Sequence, residues 1–275
     1  MAKRPEVLEH LGPYVQHGPI AAFCELSERV WSSYNELAGR IHIGQNSREY
    51  LITRMLYIAE VTSTAIRLNA TWALTHAAMS LLRDRYEETI RFSWLIRNPD
   101  PEEFAKYQRA MVAKINSIVR NLDAETIRRF EEEMGPTPAW AMETLSKQDR
   151  AFLDEWNVLD LKSMATKRDA FPPLADTLLA KERLATSYEA IYRQFSSVSH
   201  YDRYSIELLG LQKTPDGSLM LAAQPHWPAL LVLKTALFDI IHCFEAAQVC
   251  HKKDAAEIFN SFFTEWYWIC KRFTG

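Results

Sequence analysis

Apolar residues recur along most of the chain at three- and four-residue steps, the period of helices with one buried face. Behind Pro19, which suits a first helical turn because its missing N–H has no partner there, Ile20, Phe23, Leu26, Val30, Trp31 and Tyr34 form such a stripe. The pattern predicts helices over about 19–37, 47–69, 70–97 and 102–122, with Leu51, Met55, Ile58, Val61 and Ile66 turned inward in the second. Asn98-Pro99-Asp100-Pro101 stops the third helix and Pro101 opens the fourth. From 123 to 173 the chain is more charged and is cut by Gly135-Pro136, Pro138 and Phe171-Pro172-Pro173, so short helices are expected at 124–134, 139–145, 147–156 and 160–167. A long helix over 174–200 follows. Thr214-Pro215-Asp216-Gly217 then marks a turn, which predicts a minor β-hairpin near 205–223. Helices over 227–250 and 253–273 close the chain. The expectation is an all-α bundle of long helices in a single domain, 1–275, with 123–173 as a candidate helical insertion or lid.

Composition narrows the classes. The 275 residues are 48% hydrophobic and 24% charged, enough for a large core, and only 8 are Gly, which favours long regular elements over tight turns. A net charge of −3 lacks the basic excess usual in nucleic-acid binders, although a local Arg cluster can act within an acidic chain. No apolar run approaches a membrane span, and MAKRPEVLEHLGPY lacks a signal-peptide core, so no membrane contact is expected. Cys24, Cys243, Cys250 and Cys270 form no CxxC pair, and Cys243 and Cys250, seven apart in a helical stretch, read as reduced core residues of a cytoplasmic protein. His226, His242 and His251 lack an accompanying ligand set, and no P-loop, GxGxxG, GxSxG or HExxH occurs. No metal and no cofactor are therefore expected.

The candidate chemistry lies in YEAIYRQFSSVSHY, Tyr188 to Tyr201. At about 100° per residue, Arg193 and His200 share one stripe of a helix, with Ser196 and Ser197 between them. A histidine titrates near neutrality and an arginine neutralises phosphate. Together they can cleave RNA without metal, the base activating the ribose 2′-hydroxyl and the cation steadying the phosphate. A structural alternative has His200 ending the helix and Arg193 pairing with Glu189. In the third helix, Arg83 and Glu87 lie within about 20° of His76. They form either an exposed i,i+4 pair on a solvated face with Arg85, Glu88 and Arg91, or a buried network facing the Arg193–His200 stripe. Trp266, Tyr267, Trp268 and Phe273 suit a core or dimer face, and Asp123, Glu125, Glu131, Glu132 and Glu133 a solvated helix side.

LLRDRYEETIRFSWLIRNPDPEEFAKY, followed later by YEAIYRQFSSVSHYDRYS, resembles a helical bacterial family of unknown function. In that family an Arg-x-x-x-Glu helix ending in an Asn-Pro stop precedes a "YR…S…H" helix. The pattern is similar to the HEPN (higher eukaryote and prokaryote nucleotide-binding) superfamily, whose hallmark is Arg, four to six residues, then His. Arg193 and His200 match with six intervening residues, and the likeness covers roughly 47–209. It implies a metal-independent endoribonuclease, or an RNA-binding relative, of a toxin–antitoxin or anti-phage defence system. It further implies a homodimer with a composite site and an antitoxin or defence-system partner protein. By this resemblance His200 is the general base or acid and Arg193 the phosphate clamp. Gln194, Ser196 and Ser197 are auxiliary contacts, and Arg83 and Glu87 hold the pair. Gln194 departs from the small polar residue frequent after the family's arginine. Two other classes stay open: a non-catalytic helical module binding RNA, nucleotide or protein, and a small-molecule-binding bundle.

Overall fold

The computed structural model describes residues 18–38, 48–72, 74–100, 102, 121–134, 147, 161–193, 195, 211–213, 216–217, 219–221, 226–250 and 255–274. Its α-helices include α1 (Pro19–Ala38), α2 (Arg48–Thr71), α3 (Thr75–Arg97), α4 (Ala124–Met134), α5 (Leu161–Ala170), α6 (His226–Cys250) and α7 (Ala256–Thr274). The architecture is predominantly helical. Two short strands, β1 (Leu211–Lys213) and β2 (Leu219–Leu221), pair antiparallel with Leu211 opposite Leu221, and Gly217 takes φ +85 in the turn between them. None of the helices is long and apolar enough to cross a membrane, among the described residues.

The chain divides into two compact units, Met1–Arg97 with Ala165–Gly275, and Asn98–Met164. In the smaller unit α4 begins at a built cap: Asp123 accepts from the Thr126 N–H and hydroxyl, each at 2.8 Å. These bonds hold the Asp123 carboxyl below its ordinary range. Arg128 and Arg129 pair with Glu125 along the solvated side of α4. The helices expected at 102–122, 139–145 and 147–156 fall almost wholly outside the described residues.

In the larger unit α6 is the central post, packed against α1, α2, α3 and α7. Its sequence is apolar nearly all round because it is buried nearly all round, from Leu231 through Ala247. α1, α2 and α3 surround it, and α7 closes one side with the Trp266 Nε1–H donated to the Leu233 carbonyl at 2.8 Å. Tyr267 and Trp268, on the outer side of α7, are exposed.

Two expectations are corrected. The helix predicted over 174–200 is not continuous: 171–183 is irregular around a short 3₁₀ turn, Leu179–Lys181, and Tyr188–Arg193 is a π-helical turn. Pro172 and Pro173 remove two donors, and Asp169 takes the N–H groups of Leu184 and Ala185 at 3.0 and 2.9 Å, so these bonds cannot extend a helix from 174. In α2, Ile58 and Val61 face outward. The inward positions are Ile52, Leu56, Ala59, Ser63, Ile66 and Ala70.

Ser63 faces inward because the core contains a charge. Asp239, in the middle of α6, has no exposed surface. Its Oδ1 accepts from Ser63 Oγ at 2.6 Å and from Arg85 Nη2 at 3.0 Å, and its Oδ2 accepts from Ser27 Oγ. Arg85, equally buried, donates from Nε to Ser63 Oγ at 2.8 Å and from Nη1 to Thr89 Oγ1 at 2.9 Å. Arg67 donates to Ser27 from the rim. One carboxylate thus ties together α1, α2, α3 and α6.

His242, one turn further along α6, packs on Phe92 with ring centroids 4.2 Å apart. Burial, reinforced by the Arg85 cation, holds it well below the ordinary histidine range against a weaker upward pull from the Glu88 backbone. Folding therefore excludes a proton that the unfolded chain binds below about pH 6.5.

Two measurements follow from this core. Asp239→Ala leaves the Arg85 guanidinium buried without its carboxylate and should cost about 3–5 kcal/mol in urea denaturation. His242→Leu should flatten the loss of stability that wild type shows as pH falls below about 6.5, a loss of up to about 1.4 kcal/mol per pH unit. Glu60, Glu88 and Glu182, which burial raises, bind protons more readily when folded and so act in the opposite sense. Their stabilisation is full below the unfolded carboxyl range and fades as pH rises. The difference between wild type and variant therefore isolates His242.

Candidate functional site

The outer side of α3 carries Arg83, Asp84, Glu87 and Arg91, because the inner side is taken by Leu82, Arg85, Tyr86, Thr89 and Ile90. Arg83 does not pair with Glu87. Its guanidinium carbon stands 5.0 Å from the centroid of the Tyr192 ring, and its Nη2 donates to the Tyr192 hydroxyl at 3.4 Å. Asp84 Oδ1 lies 3.3 Å from Arg83 Nη1. The Tyr192 hydrogen bond, helped by the Asp84 and Glu87 charges, raises the Arg83 pKa against partial burial. Glu87 turns to Arg91 and accepts from its Nε and Nη2 at 3.0 and 2.8 Å.

Tyr192 belongs to the π-helical turn Tyr188–Arg193. There the Tyr188 and Tyr192 rings stack with centroids 5.3 Å apart. Ile191 of the same turn is buried, and Phe195, just beyond, packs edge-on against Trp227 at 6.1 Å. An i→i+5 turn adds a residue to the helical ring, so α-helical spacing arithmetic does not hold across Tyr188–Arg193. Arg193 ends the turn, 76% exposed along its side chain, and its Nη1 lies 3.1 Å from Glu189 Oε2. This is the pair of the structural alternative. His200, Gln194, Ser196 and Ser197 lie outside the described residues. Arg83 and Arg193 are thus placed on α3 and on the last residue of the turn whose Tyr192 Arg83 covers.

A second buried network positions this turn. Glu245 on α6 accepts from Arg168 Nη2 at 2.7 Å and from Ser93 Oγ at 2.8 Å, and Arg168 Nε donates to Ser93 at 2.6 Å. Arg168 Nη1 bonds Asp169 at 3.0 Å and also the Glu182 carbonyl. Arg97, whose Nη1 is 3.9 Å from Glu245, donates from Nη2 to the Phe171 and Pro172 carbonyls at 3.0 and 3.2 Å. Asp169 holds the Leu184 and Ala185 amides, and Tyr86 donates to the Leu184 carbonyl at 2.8 Å. Burial pushes the Tyr86 hydroxyl well above its ordinary range, with Asp169 and Tyr188 adding to it. It stays a neutral donor.

Sequence reasoning missed Tyr192, Asp169, Arg168, Glu245, Arg85 and Asp239. A signal existed for two of them: Asp239 and Glu245, like Lys234, interrupt LLVLKTALFDIIHCFEAA, a run otherwise apolar enough to be buried on all sides. Among the described residues no group of three or more His, Cys, Asp and Glu is placed to hold a metal ion. Cys24 and Cys270 are pushed up to about 11 by burial, which keeps both thiols protonated and unreactive. No protein-family model, curated protein or solved structure matches the chain.

The chemistry available at this place is that of paired charges beside aromatic rings: Asp84 lies against Arg83, Glu87 takes Arg91 and Glu189 takes Arg193, next to the stacked Tyr188 and Tyr192 rings. A guanidinium that exchanges its carboxylate for a phosphate, and a ring that stacks on a base, are what such a place can give a nucleic acid. Asp169→Ala should free the Leu184 and Ala185 amides, costing about 1–3 kcal/mol. Amide hydrogen exchange should quicken at those two residues and through Tyr188–Arg193, and stay slow in the centre of α6.

Proposed function

We propose that the chain is a HEPN-like, metal-independent endoribonuclease acting as a homodimer, in the manner of toxin or anti-phage effectors. The observation that carries this reading is the Arg83 guanidinium over Tyr192, next in sequence to the exposed Arg193. It offers RNA a cation and a ring at one place in a chain of net charge −3. In this reading Arg193 leaves Glu189 for the scissile phosphate and steadies its developing charge. His200 removes the proton of the ribose 2′-hydroxyl, which attacks the phosphorus. The P–O5′ bond breaks, and a proton goes to the leaving 5′-oxygen. Arg83 keeps Tyr192 in place. Gln194, Ser196 and Ser197 supply further hydrogen bonds to phosphate or base.

A second reading, a non-catalytic helical module binding RNA or nucleotide, is favoured by the Arg193–Glu189 pair, which leaves the cation already partnered. One experiment separates the two. Purified protein is incubated with total RNA in EDTA beside Arg193→Ala and His200→Ala variants. The nuclease reading expects cleavage in EDTA that falls by about a hundredfold or more in both variants, on the scale of losing a general base or a charge-stabilising donor. Intact RNA with slowed gel mobility, lost in Arg193→Ala, selects the binding module. Because Arg193 is on the surface, its replacement should leave the thermal midpoint unchanged.

A further inference from the structure

α2 is apolar on two sides. Its inner side supplies Ile52, Leu56, Ala59, Ile66 and Ala70 to the core. On the other side Ile58, Val61, Ala65, Leu68 and Trp72 follow one another at steps of three, four, three and four. At about 100° per residue these five occupy an arc of roughly 80°, centred nearly opposite the buried set. That alternation is the seam spacing of paired helices. Among the described residues this side is left open: Ile58 is 52% exposed, Val61 51%, Leu68 56% and Trp72 39%, with Tyr57 and Leu74 more than half exposed at its margins.

The area is substantial. From ordinary residue surfaces the six large side chains expose roughly 600 Å², the upper end of the largest apolar patches on monomers. Two such faces bury at most about 1,200 Å², reached when the margins are covered along with the seam, and this is the lower bound of a specific, stable interface.

The pattern also says what fits. It is balanced about Ala65, with Ile58 and Trp72 seven residues to either side and Val61 and Leu68 four and three. Two antiparallel copies crossing at Ala65 place the smallest residue where backbones come closest and large side chains toward the ends. On α2 the residues bordering the seam between Ile58 and Trp72 are Thr62, Thr64, Asn69 and Thr71, all uncharged; Glu88 of α3 reaches that border where it accepts from Thr62 Oγ1 at 3.2 Å, and Arg54, in line with the seam one turn before Ile58, falls at opposite ends of the two copies. Identical copies meet there without like-charge repulsion. A membrane surface would ask for Lys or Arg along those borders, and an oppositely charged partner would ask for charge of one sign. Arg67, the nearest cation in that span, is engaged by Ser27 and Thr64.

We propose that the outer face of α2 is an isologous interface, on which a second copy of this chain lays its own α2 antiparallel about a two-fold axis at Ala65. Val61 then meets the partner's Leu68, and Ile58 meets the partner's Trp72. None of these residues belongs to the Arg83–Tyr192–Arg193 place, so the interface shares with the ribonuclease reading the homodimer and none of the site chemistry. A dimer without cleavage overturns that chemistry and leaves the interface standing, whereas cleavage by a monomer overturns the interface and the homodimer and leaves the chemistry standing.

The test uses the full chain in sedimentation velocity over a wide concentration range, with Val61→Glu, Leu68→Lys, the double variant, and a mixture of the two single variants. Wild type should dimerise. Each single change enters the two-fold interface twice and should weaken self-association by about a hundredfold or more. The double variant, and the equimolar mixture of singles, should associate again because each Glu then faces a Lys. Both positions are exposed, so circular dichroism should match wild type, and the thermal midpoint should match it at concentrations too low for wild type to dimerise. A monomeric wild type, a dimer that the single changes leave intact, or singles whose loss neither combination restores would each overturn the proposal.

Discussion

Asp239 is a carboxylate with no exposed surface in the middle of the most buried of the described helices. Left alone there it would carry a desolvation penalty large enough to unfold a domain, so its partners are obligatory rather than ornamental. They come from three other helices: Ser27 from α1, Ser63 from α2 and Arg85 from α3. Each donor must point at one pair of oxygen atoms, and this sets the rotation of its helix about its own axis. Apolar packing tolerates small rotations. A bond of 2.6 to 3.0 Å does not.

The outer surface of α2 is a consequence. With Ser63 directed at Asp239, the Ile52–Leu56–Ala59–Ile66–Ala70 side packs on the bundle, and Ile58, Val61 and Leu68 are carried outward. Either apolar side of this helix could have filled the core by hydrophobicity alone. The buried carboxylate chooses between them, and so decides which side is available to a second copy.

Glu245, six residues further along the same helix, does for the candidate site what Asp239 does for the bundle. It fixes Arg168, which fixes Asp169, which holds the amides of Leu184 and Ala185 one turn before Tyr188–Arg193. Tyr86 on α3 adds a bond to the Leu184 carbonyl, and Arg83 on the same helix covers Tyr192. The exposed Arg193 is therefore mounted on a segment anchored through buried charges, although its own pair with Glu189 is a weak surface contact.

The period of apolar residues was sufficient to locate α1, α2, α4, α6 and α7, because a helix in water must bury one side and the sequence states which positions are apolar. That α6 is the central post emerged only from its packing, although its sequence is apolar on nearly every side. Tertiary structure decided what periodicity leaves degenerate. α2 has two apolar sides, and only the reach of Ser63 to Asp239 selects one. The run from 174 to 200 has helical spacing, yet Asp169, distant from most of it in sequence, claims the amides that would continue a helix. Arg83 and Glu87 have the spacing of an ion pair, yet Tyr192 and Arg91 compete for them more closely in space. Spacing along a chain measures which groups can share a face. Which partner each group takes depends on side chains brought in from elsewhere, and that is settled only when the helices have packed.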